Sequence, residues 1–161
     1  MNRAFVCFAA FAVAGTAAFA EPAFAQQSTA TVQGKYLPKA DPAADLKKAE
    51  AAAAEQGKRV LLVVGGDWCV DCVILDQFLT QSKAVQAEFD KTFVTAKIYL
   101  GPENLNPEFL KQYPEIEWVP QFFVLDAKGK LLKAQDTREL SSDHEFHKDK
   151  MMAFAKKWRG S

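Results

Sequence analysis

The chain has 161 residues, enough for one domain with one core once a leader is set aside. Its 20 basic and 20 acidic residues balance, and they still balance when Arg3 and Glu21 leave with that leader. This gives no ground for a nucleic-acid partner or an anionic surface, and 13 phenylalanines supply a core amply.

The leader reads first. Met1, Asn2 and Arg3 open with a positive charge, and the apolar run AFVCFAAFAVAGTAAFA follows. Two small-x-small sites close it, Ala18-Phe19-Ala20 and Ala23-Phe24-Ala25. This is the pattern of a secretory signal peptide over residues 1–25, with cleavage expected after Ala25 and, as second choice, after Ala20. The rival reading is a single membrane anchor. The run is barely long enough to span a bilayer, however, and no basic stop-transfer cluster follows it. Cys7 lies inside the apolar run, not at the cleavage point, so no lipid anchor is expected there. No later stretch is apolar for long enough to hold the mature chain in a membrane.

Residues 26–40, QQSTATVQGKYLPKA, are polar with turn formers and read as a flexible leader to a domain over 41–161. Asp41 offers an N-cap and Pro42 suits the first helical position. AADLKKAEAAAAEQ then has strong helix propensity up to Gly57. Arg59 to Val64, RVLLVV, is a short continuous apolar run, the pattern of a buried strand, and Gly65-Gly66 ends it.

A helix is expected from near Cys69 through Val73, Ile74, Phe78 and Leu79, with a break at 80–83 before Val85 to Phe89. Thr92 to Leu100 is β-branched and aromatic enough for a second strand. Gly101-Pro102 punctuates it, ENLNPEFLKQY suggests a helix, and Pro114 opens a loop that runs to Pro120. QFFVLD and Lys130 to Ala134 then read as a hairpin around Asp126 to Gly129. Ser142 with Glu145 forms a capping-box pattern for a last helix through Phe146, Met151, Phe154 and Trp158. The order α-β-α-β-α-β-β-α implies an α/β domain with a mixed sheet covered on both faces.

Without Cys7, only Cys69 and Cys72 remain, in GGDWCVDC. Two cysteines three apart make a poor structural staple, because so short a loop restrains the unfolded chain little. At the first turn of a helix they share a face and can close a disulfide. Helix-end N–H groups and the helix dipole would there favour a Cys69 thiolate, making Cys69 the nucleophile and Cys72 the resolving thiol. Asp71 and Asp67 oppose that thiolate, so the sign of the net shift stays open. A zinc site would need more ligands than the distant His144 and His147, expected three apart on a solvated helix face, can supply. Two thiolates alone can hold Cu(I), and a pair of inert buried cysteines is a third reading. Strand, glycine turn and helix start favour redox exchange over these.

WCVDC after an apolar strand, followed some fifty residues later by VPQFFVLDAKGK, resembles the thioredoxin superfamily over roughly residues 42–159. GGDWCVDC is also similar to the periplasmic branch that includes the C-terminal domain of the thiol–disulfide interchange protein DsbD. The resemblance implies a thioredoxin-like fold, a redox-active Cys69–Cys72 disulfide, and no cofactor or metal. It implies that Trp68, Val119 and a cis-Pro120 hold an extended substrate segment, the loop approaching the cysteines through a cis bond that proline tolerates. Lys97 falls where the family keeps a lysine near the buried end of the site. One departure stands out: Val63 occupies the place of the family's buried aspartate, six residues before the first cysteine, so any base assisting Cys72 must be another carboxylate or a water.

The expectation is therefore a periplasmic thiol–disulfide oxidoreductase acting on protein thiols and disulfides, with a membrane-bound redox partner to restore its dithiol. Reduction is the favoured direction. The alternatives are the same exchange run as an oxidase, and a non-catalytic thioredoxin-fold module that carries copper or binds a protein. Asp71 and Lys97 are candidate tuning residues.

Overall fold

The structure, a computed structural model, describes residues 35–160. The expected signal peptide and most of the leader lie outside them. Helix α1 spans Pro42–Gln56. Asp41 Oδ1 caps it, accepting from the N–H groups of Ala43 (2.9 Å) and Ala44 (3.3 Å), which is worth about 1 kcal/mol against alanine. Gly57 stops it at a φ of 62°, the left-handed turn that glycine adopts without a Cβ clash.

Strands β1 (Arg59–Gly65), β2 (Phe93–Tyr99), β3 (Gln121–Leu125) and β4 (Leu131–Asp136) form one mixed sheet in the order β2-β1-β3-β4. β1 runs parallel to β2, with Val63 beside Lys97, and antiparallel to β3. β3 pairs antiparallel with β4. β1 and β3 are central and read as unbroken apolar runs because both their faces are covered. Val60, Leu62, Val64, Phe123 and Leu125 face α1 with its buried Leu46, Ala49 and Ala53. Leu61, Val63, Phe122 and Val124 face the opposite cluster. That cluster is built from α2 (Val70–Gln81), α3 (Lys83–Thr92) and α5 (Lys148–Lys157). Phe89, Phe93, Phe122 and Phe154 meet there ring to ring at 5.7–6.4 Å, the separations aromatic pairs favour. The covered mixed sheet expected from the element order is the one observed, and the break at 80–83 falls at Ser82, between α2 and α3.

Three expectations are corrected. ENLNPEFLKQY keeps only the short helix α4, Pro107–Leu110. Asn106 sits before it in the left-handed region (φ 46°), tied by its Nδ2 to Tyr99 O at 2.7 Å, so no helix starts earlier. The last helix starts not at Ser142 but at Lys148, with His147 as its N-cap. Ser142 and Glu145 instead pair across a tiny hairpin, β5 (Ser141–Ser142) and β6 (Glu145–Phe146), whose turn residues Asp143 and His144 both take positive φ. His144 and His147 therefore share no helix face. Within the expected flexible leader, Tyr36 and Pro38 contact the domain. Tyr36 is only 4% exposed, and Asn104 Nδ2 donates to Pro38 O at 3.0 Å.

Candidate active site

The carboxyl end of β1 turns directly into α2, with the Cys69 N–H donating to Gly66 O at 3.0 Å. Cys69 itself is the N-cap of α2, extended at φ −89° and ψ 119°, and its Sγ accepts from the Cys72 N–H at 3.1 Å. A sulfur thus does what a Ser or Asp oxygen usually does at this position. Anionic sulfur gains more there, because the free N–H groups of the first turn carry the positive end of the helix dipole.

The two thiols are free and unequal. Both are buried, Cys69 at 7% exposed and Cys72 at 1%. A hydrogen bond from the Cys72 thiol is the main cause that holds the Cys69 thiol down to about 7. Burial and the Asp71 carboxylate oppose it, and the N–H groups of Cys72 and Asp71 support it. Together these groups lower the Cys69 pKa, the direction that Asp71 left open in the sequence. The same hydrogen bond, with burial and the charge of Cys69, pushes Cys72 far above the ordinary thiol range. The Gly66 N–H and the Tyr36 hydroxyl work against that rise.

Trp68 lies beside the pair, half exposed, its Nε1 donating to Leu100 O at 3.0 Å. The indole rests so closely on Gly66 and Gly101 that a Cβ at either would overlap it. It forms one wall of an open apolar groove with Leu100, Leu105, Ile116, Trp118 and Val119. The Val119–Pro120 peptide is cis, and the Cys69 thiol donates to Val119 O at 3.5 Å. Thr137 Oγ1 donates to Pro120 O at 2.5 Å and fixes the far side of that loop. Cys69, Cys72, Trp68, Val119 and Pro120 are thus brought together at one end of β1.

Lys97 and Asp71 sit on two sides of this pair. Lys97 points inward, its Nζ 2.5 Å from Asp76 Oδ2 and 4.6 Å above the Tyr36 ring. Its strand neighbour Val63 offers no charge, so the carboxylate comes from α2 instead, one turn past Cys72. Burial raises the Asp76 pKa, and its hydrogen bond to Lys97 works the other way. Asp76 Oδ1 and Tyr36 Oη are buried with no hydrogen-bond partner among the described residues. On the outer side, Asp71 Oδ1 is 2.5 Å from His144 Nδ1 at the tip of the small hairpin.

Sequence reasoning missed Tyr36, Asp76 and His144. Asp76 was findable, because residues four apart on a helix share a face. Tyr36 and His144 arrive across long sequence separations and leave no local signal.

The comparisons agree with this geometry. Residues 41–127 match the family described as thioredoxin-like, and the chain belongs to that family. Among solved structures it is similar to the crystal structure of a disulphide isomerase from Xylella fastidiosa Temecula1, with a TM-score of 0.62 and 31% identity. The match covers 76% of this chain and 94% of that one. No curated protein matches the sequence.

Proposed function

We propose that this chain is a periplasmic thiol–disulfide oxidoreductase that reduces protein disulfides through Cys69 and Cys72. The observation that carries the reading is the inequality of the two thiols. Cys69 is at the helix N-cap and poised near pH 7, while Cys72, one turn deeper and more fully buried, is held protonated. A nucleophile with a pKa near ambient pH is the most effective attacking thiol. The likeness to a disulphide isomerase and the groove beside Trp68 support a protein substrate.

In the reaction, the Cys69 thiolate attacks a substrate disulfide seated between Trp68 and Val119. One substrate sulfur leaves as a thiolate and takes up a proton, and a mixed disulfide forms. Cys72 then loses its proton and attacks Cys69 Sγ. The Cys69–Cys72 disulfide forms, the mixed disulfide breaks, and the second substrate sulfur leaves with the electron pair. The substrate gains two electrons and the pair loses them. Asp76, one turn beyond Cys72 with Oδ1 free, is the carboxylate placed to accept the Cys72 proton, the task that Val63 cannot perform. A membrane-bound donor must then restore the dithiol, since the periplasm is kept oxidising.

The Cys69 pKa supports that direction. A value of about 7 matches reducing members of the fold, whereas strongly oxidising ones have a nucleophile near 3.5. Equilibration of the pair with glutathione tests this. A potential around −270 mV supports a reductase, and one around −120 mV overturns that direction in favour of an oxidase.

A further inference from the structure

The resolving step requires a thiolate at Cys72, in the least hospitable place of the site for a negative charge. The sulfur is buried, Cys69 lies on one side of it, and Asp76 lies one turn along the same helix. Lys97 is the one cation among these groups, and its charge is already committed to Asp76. The Gly66 N–H offers one donor. A buried anion with so little support is costly, so a further donor should be found close by.

The Tyr36 hydroxyl meets this description. It comes from outside the sheet and helices, carried by the segment before α1, yet it shares the space over Gly65 with Cys72. A Cβ built on Gly65 would lie 2.5 Å from Cys72 Sγ and 3.2 Å from Tyr36 Oη. A buried hydroxyl without a partner is costly, and Tyr36 Oη makes no hydrogen bond of normal geometry among the described residues. The Tyr36 hydroxyl already draws the Cys72 pKa down, so the Cys72 sulfur is its partner, and their contact strengthens as that sulfur gains charge. Burial first, then the neighbouring Cys72, Asp76 and Cys69, raise the Tyr36 pKa well above its usual value. The phenol therefore keeps its proton and acts as a donor, not as an acid. The Lys97 ammonium over the ring face fixes the ring in place.

We propose that Tyr36 is a catalytic hydrogen-bond donor of this site, its hydroxyl stabilising the Cys72 thiolate as that sulfur attacks the mixed disulfide. The proposal rests on the exchange reading for its purpose. The hydrogen bond itself is independent of that reading. During the step the proton of Cys72 passes to Asp76 or water, Tyr36 retains its own, and the electron pair leaves on the substrate sulfur.

Two measurements test it. In the Cys69→Ala variant, alkylation at Cys72, located by mass spectrometry, reports its thiolate. Adding Tyr36→Phe keeps the ring and its contact with Lys97 but removes the donor. Alkylation at a fixed mildly alkaline pH should slow about tenfold, as for the loss of a hydrogen bond to a charged group, and its pH profile should move upward. Site-specific 3-fluorotyrosine at position 36, a stronger donor of nearly the same shape, should move the profile downward. An unchanged profile in both would overturn the proposal, whether or not the chain exchanges disulfides. With Cys69 present and oxidised glutathione as substrate, Tyr36→Phe should slow the resolving phase and leave mixed-disulfide formation unchanged. Equal slowing of both phases would show a structural role only and sink the idea.

Discussion

His144 Nδ1 lies 2.5 Å from Asp71 Oδ1, so the tip of the β5–β6 hairpin is joined to the residue between the two cysteines. Asp71 raises the Cys69 pKa through its charge, and a protonated His144 offsets that charge. The hydrogen bond and charge of Asp71, with a smaller contribution from Asp143, raise the His144 pKa above 6.5. Below that raised value His144 is an imidazolium and Cys69 ionises more readily. Above it the imidazole is neutral and the full charge of Asp71 opposes the thiolate. His144→Ala should therefore raise the Cys69 pKa, and Asp71→Asn should lower it. With Asn at 71, replacement of His144 should have no further effect. Thiolate absorbance near 240 nm reads each case, and an additive double variant would show that the two residues do not act as a pair. The linkage with folding has the same sign. A histidine raised in the folded state stabilises the fold below its unfolded pKa and loses that contribution as pH rises through the folded one.

The inequality of the thiols predicts single-site chemistry in the reduced protein. Alkylation of Cys69 should rise with pH and level off once pH passes about 7, while Cys72 stays unmodified under the same conditions. Cys72→Ala should accumulate mixed disulfides with substrate, because the resolving sulfur is gone. It should also raise the Cys69 pKa, since the Cys72 thiol is the main group holding it down. Cys69→Ser should abolish exchange. Labelling of both cysteines at comparable rates near neutral pH would contradict the arrangement.

The Lys97–Asp76 pair carries both stability and turnover. Lys97 has a side chain only 6% exposed, whereas Asp76 still reaches water. Asp76→Ala would leave a buried ammonium unpaired, which costs about 3 kcal/mol, the low end for breaking such a pair because Asp76 is only partly buried. For a chain of this size that is a drop of roughly 6–12 °C in the melting temperature. Asp76→Ala with Lys97→Met removes both charges and should recover much of the loss. The double variant should nevertheless still resolve mixed disulfides slowly, because the proton acceptor is absent. Recovery of stability together with full turnover would remove Asp76 from the mechanism.

Much of this site was legible before the structure, and the reasons are physical. β1 and β3 announce themselves because a strand covered on both faces must be apolar throughout. Cys69 and Cys72 sit three apart at a helix start, where local geometry suffices to bring them together. The parts that escaped depend on contacts across the chain. Ser142 and Glu145 carry a capping pattern, but Asp143 and His144 take positive φ and close a hairpin there instead. The polar composition of residues 26–40 reads as a free leader, yet the Tyr36 ring is buried beneath the Lys97 ammonium. Val63 leaves the place of a charge empty, and Asp76, four residues beyond Cys72 on the same helix, is within reach of helical spacing, while the strand register sets Lys97 beside Val63.

That register also makes Gly65 a tightly specified position. It lies at the end of β1, directly under Cys72 Sγ and Tyr36 Oη. A methyl group there would stand 2.5 Å from the sulfur and 3.2 Å from the hydroxyl oxygen, and the first separation is well inside contact distance. Cys72 cannot swing away, because it is fixed in the first turn of α2 and buried against the sheet. Gly65→Ala should therefore cost about 1–3 kcal/mol through overpacking, read as a lowered melting temperature. It should also displace Cys72 from Cys69, weakening the hydrogen bond that lowers the Cys69 pKa, so the thiolate absorbance should titrate at higher pH. Gly101→Ala is the matching control. Its new methyl would meet the Trp68 indole, so it should change tryptophan fluorescence and substrate affinity while leaving the Cys69 titration in place. If Gly65→Ala left both the melting temperature and the Cys69 titration unchanged, the close packing of Cys72 against β1 would be wrong.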